Sequence, residues 1–470
     1  MGGKSELILV RGAPMPADLF YALLPEQLLL GLILLLMLLE ICGADRRIAG
    51  VLFTLAAGAG CGVLLLQLGQ GYTADVVPGE IRVDRFALLA RLVILGCGAI
   101  LGLCSPAASD TVKSRLLLSS SLLGGLVIMV SAGFISLFMG IEMLSLPAFA
   151  LMVHGRGLSP AGEGAFKYLL MSSVASALIL FGLSLAYGGT GSLAIGPFAA
   201  ALPAGGPLLL AAGLLLLGGF FLKVALFPFH GWAPDAYGSA RLPVTAFLAS
   251  VVKGTVVLGL VRILSAAPLN AETVAAVTVL SVASIFYGNV TAIRQTAFRR
   301  LLAYSSIAHA GYMMFALTDG SGGRAEALLY YVAVYAVTTI VACTCFRLLA
   351  GEEDELALLE GAFAARPVPA LLLGLSVLSL AGIPPLPGFL AKFFIFRAVI
   401  ASGHLVPALL AFAGSYVGVV YYLAVVLRLF KPSALHCGAK TAFPPGRSWG
   451  GVLLGTAVLL LFMLVPGVFS

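Results

Sequence analysis

Four ionisable side chains stand in stretches that hold almost no other charge: Glu142 in FMGIEMLSL, Lys223 in FFLKVALFPF, Lys253 in FLASVVKG and Lys392 in PPLPGFLAKFF. A charge at the centre of a bilayer costs about 2.5 to 3.5 kcal/mol on insertion scales. Four of them together cost roughly 10 kcal/mol, as much as the whole stability of an ordinary domain. Neutral residues would avoid that cost. A buried ion pair between Glu142 and one lysine, fixing only the packing of two helices, is one reading of part of the set. It leaves at least two of the three lysines to be compensated by water or by loss of the proton. Groups that change charge state inside a membrane are what a proton path requires. Lysine suits the task because desolvation loosens its proton and a nearby carboxylate tightens it again, whereas arginine stays protonated. His309 in LLAYSSIAHAGY, flanked by Tyr304, Ser305 and Ser306, is either a packing residue or a relay that titrates near neutral pH. Lys167 lies about one turn inside its segment with Glu163 at i−4, which reads equally as a surface ion pair.

The elements that hold these groups follow from composition. The chain has 470 residues, 61% hydrophobic and 10% charged, with mean hydropathy +1.09, far outside the range of soluble domains. Crossing a hydrocarbon core of about 30 Å takes roughly 20 apolar residues as a helix. Such runs occur at 24–43, 48–68, 85–105, 114–131, 133–153, 164–187, 207–229, 243–264, 273–293, 300–318, 326–349, 368–398, 405–429 and 449–469. They do not alternate polar with apolar as barrel strands would. The expected fold is an all-α integral membrane protein of about fourteen transmembrane helices. No cleavable leader is expected, since Asp45, Arg46 and Arg47 follow the first apolar run where a small-residue cleavage site would stand. The seven cysteines are odd in number, mostly within apolar runs and never spaced CxxC, and read as small core side chains without a metal or disulfide role.

Charge sets the orientation. Fifteen of the 27 lysines and arginines, from Arg46 and Arg47 to Arg447, fall in loops on one side, and five, Lys4, Arg11, Arg82, Arg85 and Arg324, on the other. The richer side is expected to be cytoplasmic, with both termini outside. The formal charge of +7 is thus a topology signal, and no basic patch suggests nucleic acid. Of the seven basic residues left within spans, Arg91, Arg262 and Arg397 lie toward helix ends and are expected to snorkel to the interface.

Proline marks two spans as broken. Pro228 follows Lys223 in the seventh, and Pro384, Pro385 and Pro387 precede Lys392 in the twelfth. Interrupted segments at matching places in two halves point to a repeat. Helices four to eight (113–265) and nine to thirteen (266–430) make two five-helix units, inverted because their helix number is odd. Residues 1–112 then supply three leading helices and 431–470 a loop and the last helix. Glu142 and His309 fall on corresponding second helices, Lys223 and Lys392 on corresponding fourth helices.

The stretches GIEMLSLPAFAL, EGAFKYLLMSSVASALILFGLSLAYGGTG, FLKVALFPFHGWAPDAY, GNVTAIRQTAFRRLLAYSSIAHAGYMM and LAGIPPLPGFLAKFFIF resemble the antiporter-like membrane subunits of proton-pumping NADH:quinone oxidoreductase, respiratory complex I, and among them the subunit N family. The resemblance runs from about residue 22 and is weakest in the loop 431–448. It implies a membrane-arm subunit in a bacterial cell inner membrane, with no cofactor of its own and with FMN and iron-sulfur clusters in partner subunits. Its neighbours would include antiporter-like subunit M and small helical subunits. Carried over, Glu142 matches the family's fifth-helix glutamate, Lys167 the sixth-helix lysine, Lys223 and Lys253 the seventh- and eighth-helix lysines, His309 the tenth-helix histidine and Lys392 the twelfth-helix lysine. Lysine at 392 departs from subunit M, which has glutamate there. The stretch DAYGSARLP departs from the family's more acidic or glycine-rich loop, and Asp235 within it reads as a solvated turn residue or a proton collector. Two rival functions stay open: a subunit of a multisubunit cation/proton antiporter, and a structural subunit that conducts nothing.

Overall fold

Leucine-rich runs free of breakers satisfy their backbone groups internally as helices, and the computed structural model of the chain follows that rule. It describes residues 16–43, 45–104, 111–154, 158–204, 206–266, 269–318, 323–432 and 447–464. Lys4, Arg11, Arg156, Cys437, Lys440 and the end of the fourteenth predicted span lie outside them. Every predicted span falls on helix: α1 (Leu24–Ile41), α2 (Arg46–Gly69), α3 (Arg85–Cys104), α4 (Val112–Val130), α5 (Phe134–Val153), α6 (Leu158–Thr190), α7 (Pro207–Lys223), α8 (Leu242–Ala266), α9 (Ala271–Ala292), α10 (Phe298–Ala316), α11 (Arg324–Ala350), α12 (Pro367–Ala381), α13 (Pro387–Ala401), α14 (Leu405–Phe430) and α15 (Arg447–Leu464). The twelfth span is thus two helices. Among the described residues, ten helices are long and apolar enough to cross a membrane unaided. Leucines such as Leu34, Leu38, Leu55 and Leu66 are exposed on the outer faces, where hydrocarbon is the solvent, and α8 and α11 are buried along almost their whole length.

Both predicted breaks occur. The seventh span was expected to reach residue 229, but α7 stops at Lys223, because Pro228 has no N–H to donate back to Val224 and restricts the residue before it. The freed groups find protein partners: Trp232 Nε1 donates to the Leu222 carbonyl at 3.1 Å and the Phe227 N–H to Ser284 Oγ at 2.9 Å. The chain then forms a short helix, Ala233–Ser239. Between α12 and α13, Gly382 takes a left-handed conformation at φ +85° and ends α12. Gly388 then passes so close to α12 that a Cβ on it would sit 1.8 Å from the Ser379 carbonyl oxygen.

Matching glycines bring the first two helices of each predicted unit together. A Cβ on Gly124 of α4 would lie 2.3 Å from the Leu144 nitrogen of α5, and one on Gly140 2.9 Å from the Ile128 nitrogen. On the α9–α10 pair, Gly288 stands in the same relation to the Ala308 nitrogen (2.6 Å) and Gly311 to the Ser281 carbonyl oxygen (2.7 Å). Such close backbone approach is how helices gain contact in a lipid solvent that gives no hydrophobic drive to their association.

Two features depart from the sequence expectations. Ala74–Val77 and Ile81–Val83 pair as an antiparallel hairpin with Asp75 opposite Arg82, turned at Pro78 and Gly79 (φ +81°). Its Glu80 carbonyl accepts the Ala132 N–H at 2.8 Å and so covers the start of α5. The snorkelling expectation for Arg91 also fails. This side chain is fully buried and pairs with Glu26 at 3.0 Å, at the turn where its Nη1 also reaches the Ala22 carbonyl. Its partner stands 65 residues earlier, which no local pattern shows. Arg262 does reach a helix end, but as a cap. Its Nε donates to the Met129 carbonyl at the end of α4 (2.8 Å) and its Nη1 pairs with Asp84 (2.5 Å). Arg347 likewise donates to Cys104 O of α3 at 2.7 Å, Arg366 to Leu348 O of α11 at 2.5 Å, and Arg324 to Leu264 O of α8. Helix C-termini present bare carbonyls and partial negative charge, which a guanidinium fork satisfies. Arg397 lies over the Phe394 ring. No disulfide joins the six described cysteines.

Candidate functional site

The predicted groups assemble into two clusters and one outlier. The first cluster forms where α5, α6 and the end of α7 meet. Lys223, the last residue of α7, points its ammonium at Glu142 Oε1 (3.1 Å), with Ser172 Oγ at 3.0 Å and Ser145 Oγ at 3.4 Å. Ser176 donates to the same carboxylate oxygen at 2.5 Å. Pro147, one turn beyond Glu142 in α5, leaves the Met143 carbonyl without its helical donor, so the backbone here is polar as well. The ion pair read from the sequence as a possibility is therefore present, set among serines. The lysine side chain is almost fully buried, and the carboxylate keeps about a quarter of its exposure.

The second cluster is built on one face of α10. Lys253 of α8 donates to Ser306, at 2.9 Å to both its carbonyl and its hydroxyl oxygen. Just before Lys253, residues Leu248–Val252 widen into a π-helical turn, a local expansion often found at functional positions. The Leu248 carbonyl there accepts from Tyr237 O–H at 3.4 Å. Three residues after Ser306 comes His309, whose Nδ1 lies 2.7 Å from Tyr331 O–H of α11 and whose Nε2 lies 3.3 Å from Tyr422 O–H of α14. Tyr422 is in turn hydrogen-bonded to Ser305. A further three residues on is Tyr312, whose ring faces the Lys392 ammonium at 4.9 Å. Spacings of three keep Ser306, His309 and Tyr312 on one side of the helix, so α10 carries a polar row with Lys253 at one end and Lys392 at the other.

Lys392 of α13 donates to the Ala381 carbonyl, the last of α12, and to Ser415 Oγ, each at 2.9 Å. The broken helix thus turns its negative end toward a cation, as discontinuous membrane helices do. Among the described residues no carboxylate pairs with Lys253 or Lys392. A cavity lined by His309, Tyr331, Tyr335 and Lys392 offers about 10 Å³ to water centres, room for about one water molecule between histidine and lysine.

The two clusters are separated by rings. Tyr168 meets Trp232 edge-on at 5.3 Å, Trp232 meets Tyr237 at 6.1 Å, and Lys253 lies 5.8 Å above the Tyr237 ring. Lys167 is the outlier. It is half-exposed and held by Glu163 (2.7 Å) and by Asp235 (2.6 Å), so its surface ion pair exists and has a second carboxylate. Asp235, read as a solvated turn residue or a proton collector, sits in the short helix and also meets Arg300 at 3.3 Å. Among the residues that sequence reading missed are the serines 145, 172, 176 and 415 beside the lysines and the tyrosines 331, 335 and 422 around His309. Tyrosine is common in any core, and only the spacing of Tyr331 and Tyr335 at i and i+4 gave a signal.

The family described as "NADH:quinone oxidoreductase/Mrp antiporter, TM" matches residues 131–462. Among curated relatives, NADH-quinone oxidoreductase subunit N of Pelobacter propionicus is 62% identical over 461 residues, 97% of this chain and 98% of that one. The subunit N of Moorella thermoacetica is 33% identical over 94% and 93% of the two chains. Among solved structures, a chain of respiratory complex I from Thermus thermophilus with bound aureothin superposes with a TM-score of 0.82 at 31% identity, over 94% of this chain and 98% of that one. A chain of the Mrp complex from Dietzia has a TM-score of 0.85 at 20% identity, over 96% and 95%, and shares the fold.

Proposed function

The chain belongs to the NADH:quinone oxidoreductase/Mrp antiporter transmembrane family, in its subunit N line, and we propose from this and from the polar row on α10 that it moves protons along Lys253, His309 and Lys392. It is an antiporter-like membrane subunit of an NADH-quinone oxidoreductase. The observation that carries the route is that two buried lysines, without carboxylate partners among the described residues, stand at the ends of one helical face of serine, histidine and tyrosine.

Protons enter from the cytoplasmic side and reach Lys253. They pass by way of Ser306, His309 and bound water to Lys392, and leave outward. Glu142 acts as the charge that tunes Lys223, and through it Lys253. Lys167 stands at the entrance rather than on the central row. The units 113–265 and 266–430 supply the two inverted halves of this route. Moving one charge outward costs about 2.3 kcal/mol per 100 mV, so the drive comes from electron transfer to quinone in partner subunits. Those subunits carry the FMN and iron-sulfur clusters, and this chain contributes translocation without redox chemistry. Its neighbours in the bacterial inner membrane are membrane-arm subunits, antiporter-like subunit M and small helical subunits among them, with both termini of this chain outside.

Lys223→Ala and Lys392→Ala test the reading in the assembled complex. The expected outcome is a several-fold fall in NADH-driven proton pumping from each, with assembly retained. Full quinone reductase activity with full pumping in both variants leaves only a structural role. Sodium-dependent proton exchange by the chain alone in vesicles favours the cation antiporter.

A further inference from the structure

Asp235 lies at a junction that the proposed route does not use. Its Oδ2 takes Lys167 of α6 at 2.6 Å and its Oδ1 takes Arg300 of α10 at 3.3 Å, so one carboxylate joins a cation of the first unit to a cation of the second. It sits on the short helix Ala233–Ser239, two residues before Tyr237, the ring beneath the Lys253 ammonium, and three after Trp232, the ring between the two clusters. The helix is gripped on both sides near this point. Arg299 Nη1 donates to the Gly238 carbonyl at 3.3 Å, and Gly164 of α6 packs so tightly that a Cβ on it would lie 2.5 Å from the Asp235 carbonyl oxygen.

We infer that Asp235 is a positioning residue for proton transfer, a shared carboxylate whose exchange between Lys167 and Arg300 moves the helix that carries Tyr237 under Lys253. The inference rests on the proton-transfer reading above. Three observations separate it from a static staple. The ion pairs are half-exposed, and such pairs hold weakly and are screened by salt, so they exchange readily. Lys167 has Glu163 as a second partner at 2.7 Å and is not left unpaired when Asp235 turns to Arg300. The two cations stand on α6 and α10 and are held at once by different oxygens of one carboxylate, so release of either relates the entrance of one predicted half to the central lysine between both.

The test uses the assembled complex in proteoliposomes with Asp235→Asn and Asp235→Glu, measuring protons moved per NADH oxidised at low and high ionic strength. Asp235→Asn is expected to lower that ratio several-fold, Asp235→Glu to restore most of it, and high salt to bring the parent toward the Asn variant. An Asn variant that matches the parent at both salt levels overturns the inference, and so does a Glu variant as poor as the Asn one. Should Asp235→Asn fail to assemble, Lys167→Gln and Arg300→Gln take its place. Each is expected to lower the ratio in part, and parental ratios in both overturn it. If Lys223→Ala and Lys392→Ala lose pumping while Asp235→Asn does not, this inference alone falls. If all of them pump normally, the reading beneath it falls as well.

Discussion

At the scale of single residues, the two basic side chains divide the work by their chemistry. The arginines that reach into the membrane body cap helix ends, as Arg262 and Arg347, form a buried pair, as Arg91, or lie over a ring, as Arg397, all of which suit a fixed charge on a planar fork of donors. The three deep lysines, Lys223, Lys253 and Lys392, face hydroxyls, single carbonyls and in one case a carboxylate. Tyr422 is the residue on which the middle of the proposed route turns, since its one hydroxyl meets both Ser305 and His309 Nε2. Tyr422→Phe keeps the ring and its packing and removes only that hydroxyl. The expected result is an assembled complex whose pumping falls several-fold while its stability drops by about 1 to 3 kcal/mol, the range for leaving buried hydrogen-bonding partners unpaired. Pumping at the parental rate would show that His309 does not pass protons on this side. Glu142, Lys223, Lys253 and Lys392 were legible because a charge in an apolar run stands out from its neighbours. Tyr422 was not, because its meaning lies in a partner 113 residues away. Glu26 was missed for the same reason, its partner being Arg91.

Among the helices, local sequence was a good guide wherever proline or glycine sets the backbone. Pro228 and the run from Pro384 to Pro387 announced the two breaks, although the end of α7 at Lys223 is set by Pro228 acting back along the chain. The helix crossings were less visible, since a glycine in an apolar run gives no hint of what it faces. Gly311 places α10 against α9, with no room for a Cβ beside the Ser281 carbonyl. His309 lies two residues before it, so the crossing fixes the proposed relay as well as the packing. Gly311→Val is expected to destabilise the subunit by about 1 to 3 kcal/mol, the usual range for overpacking. It should also reduce pumping in whatever complex assembles. Gly31→Val in α1, where a Cβ meets nothing within 4 Å, serves as the control and is expected to be near neutral. Equal thermal unfolding profiles for the two variants would contradict the close approach of α9 and α10.

In the molecule as a whole, similar architecture carries unequal charge. Each proposed half closes its first two helices with paired glycines and breaks a later helix beside a lysine, yet among the described residues only the first gives that lysine a carboxylate. In the second half Lys392 is held by the end of α12 and by Ser415, both neutral groups. The difference suits a direction of travel. An ion pair ties a charged lysine to one partner, whereas neutral hydroxyl and carbonyl groups can each be replaced by water. Ser415→Asp removes the inequality, because it sets a carboxylate where the hydroxyl now lies, 2.9 Å from the Lys392 ammonium. Charge-assisted bonds of this kind are about twice as strong as neutral ones, and both side chains here are buried. The variant is therefore expected to assemble but to pump several-fold less, since the last lysine holds its proton in a new ion pair. Glu142→Gln is the converse change and is expected to impair pumping from the other end, by leaving Lys223 without its carboxylate. The diagnostic comparison is the double variant. If charge asymmetry sets the direction, Glu142→Gln with Ser415→Asp moves the ion pair from one half to the other and does not recover pumping. Recovery would mean that the number of intramembrane ion pairs matters and their placement does not.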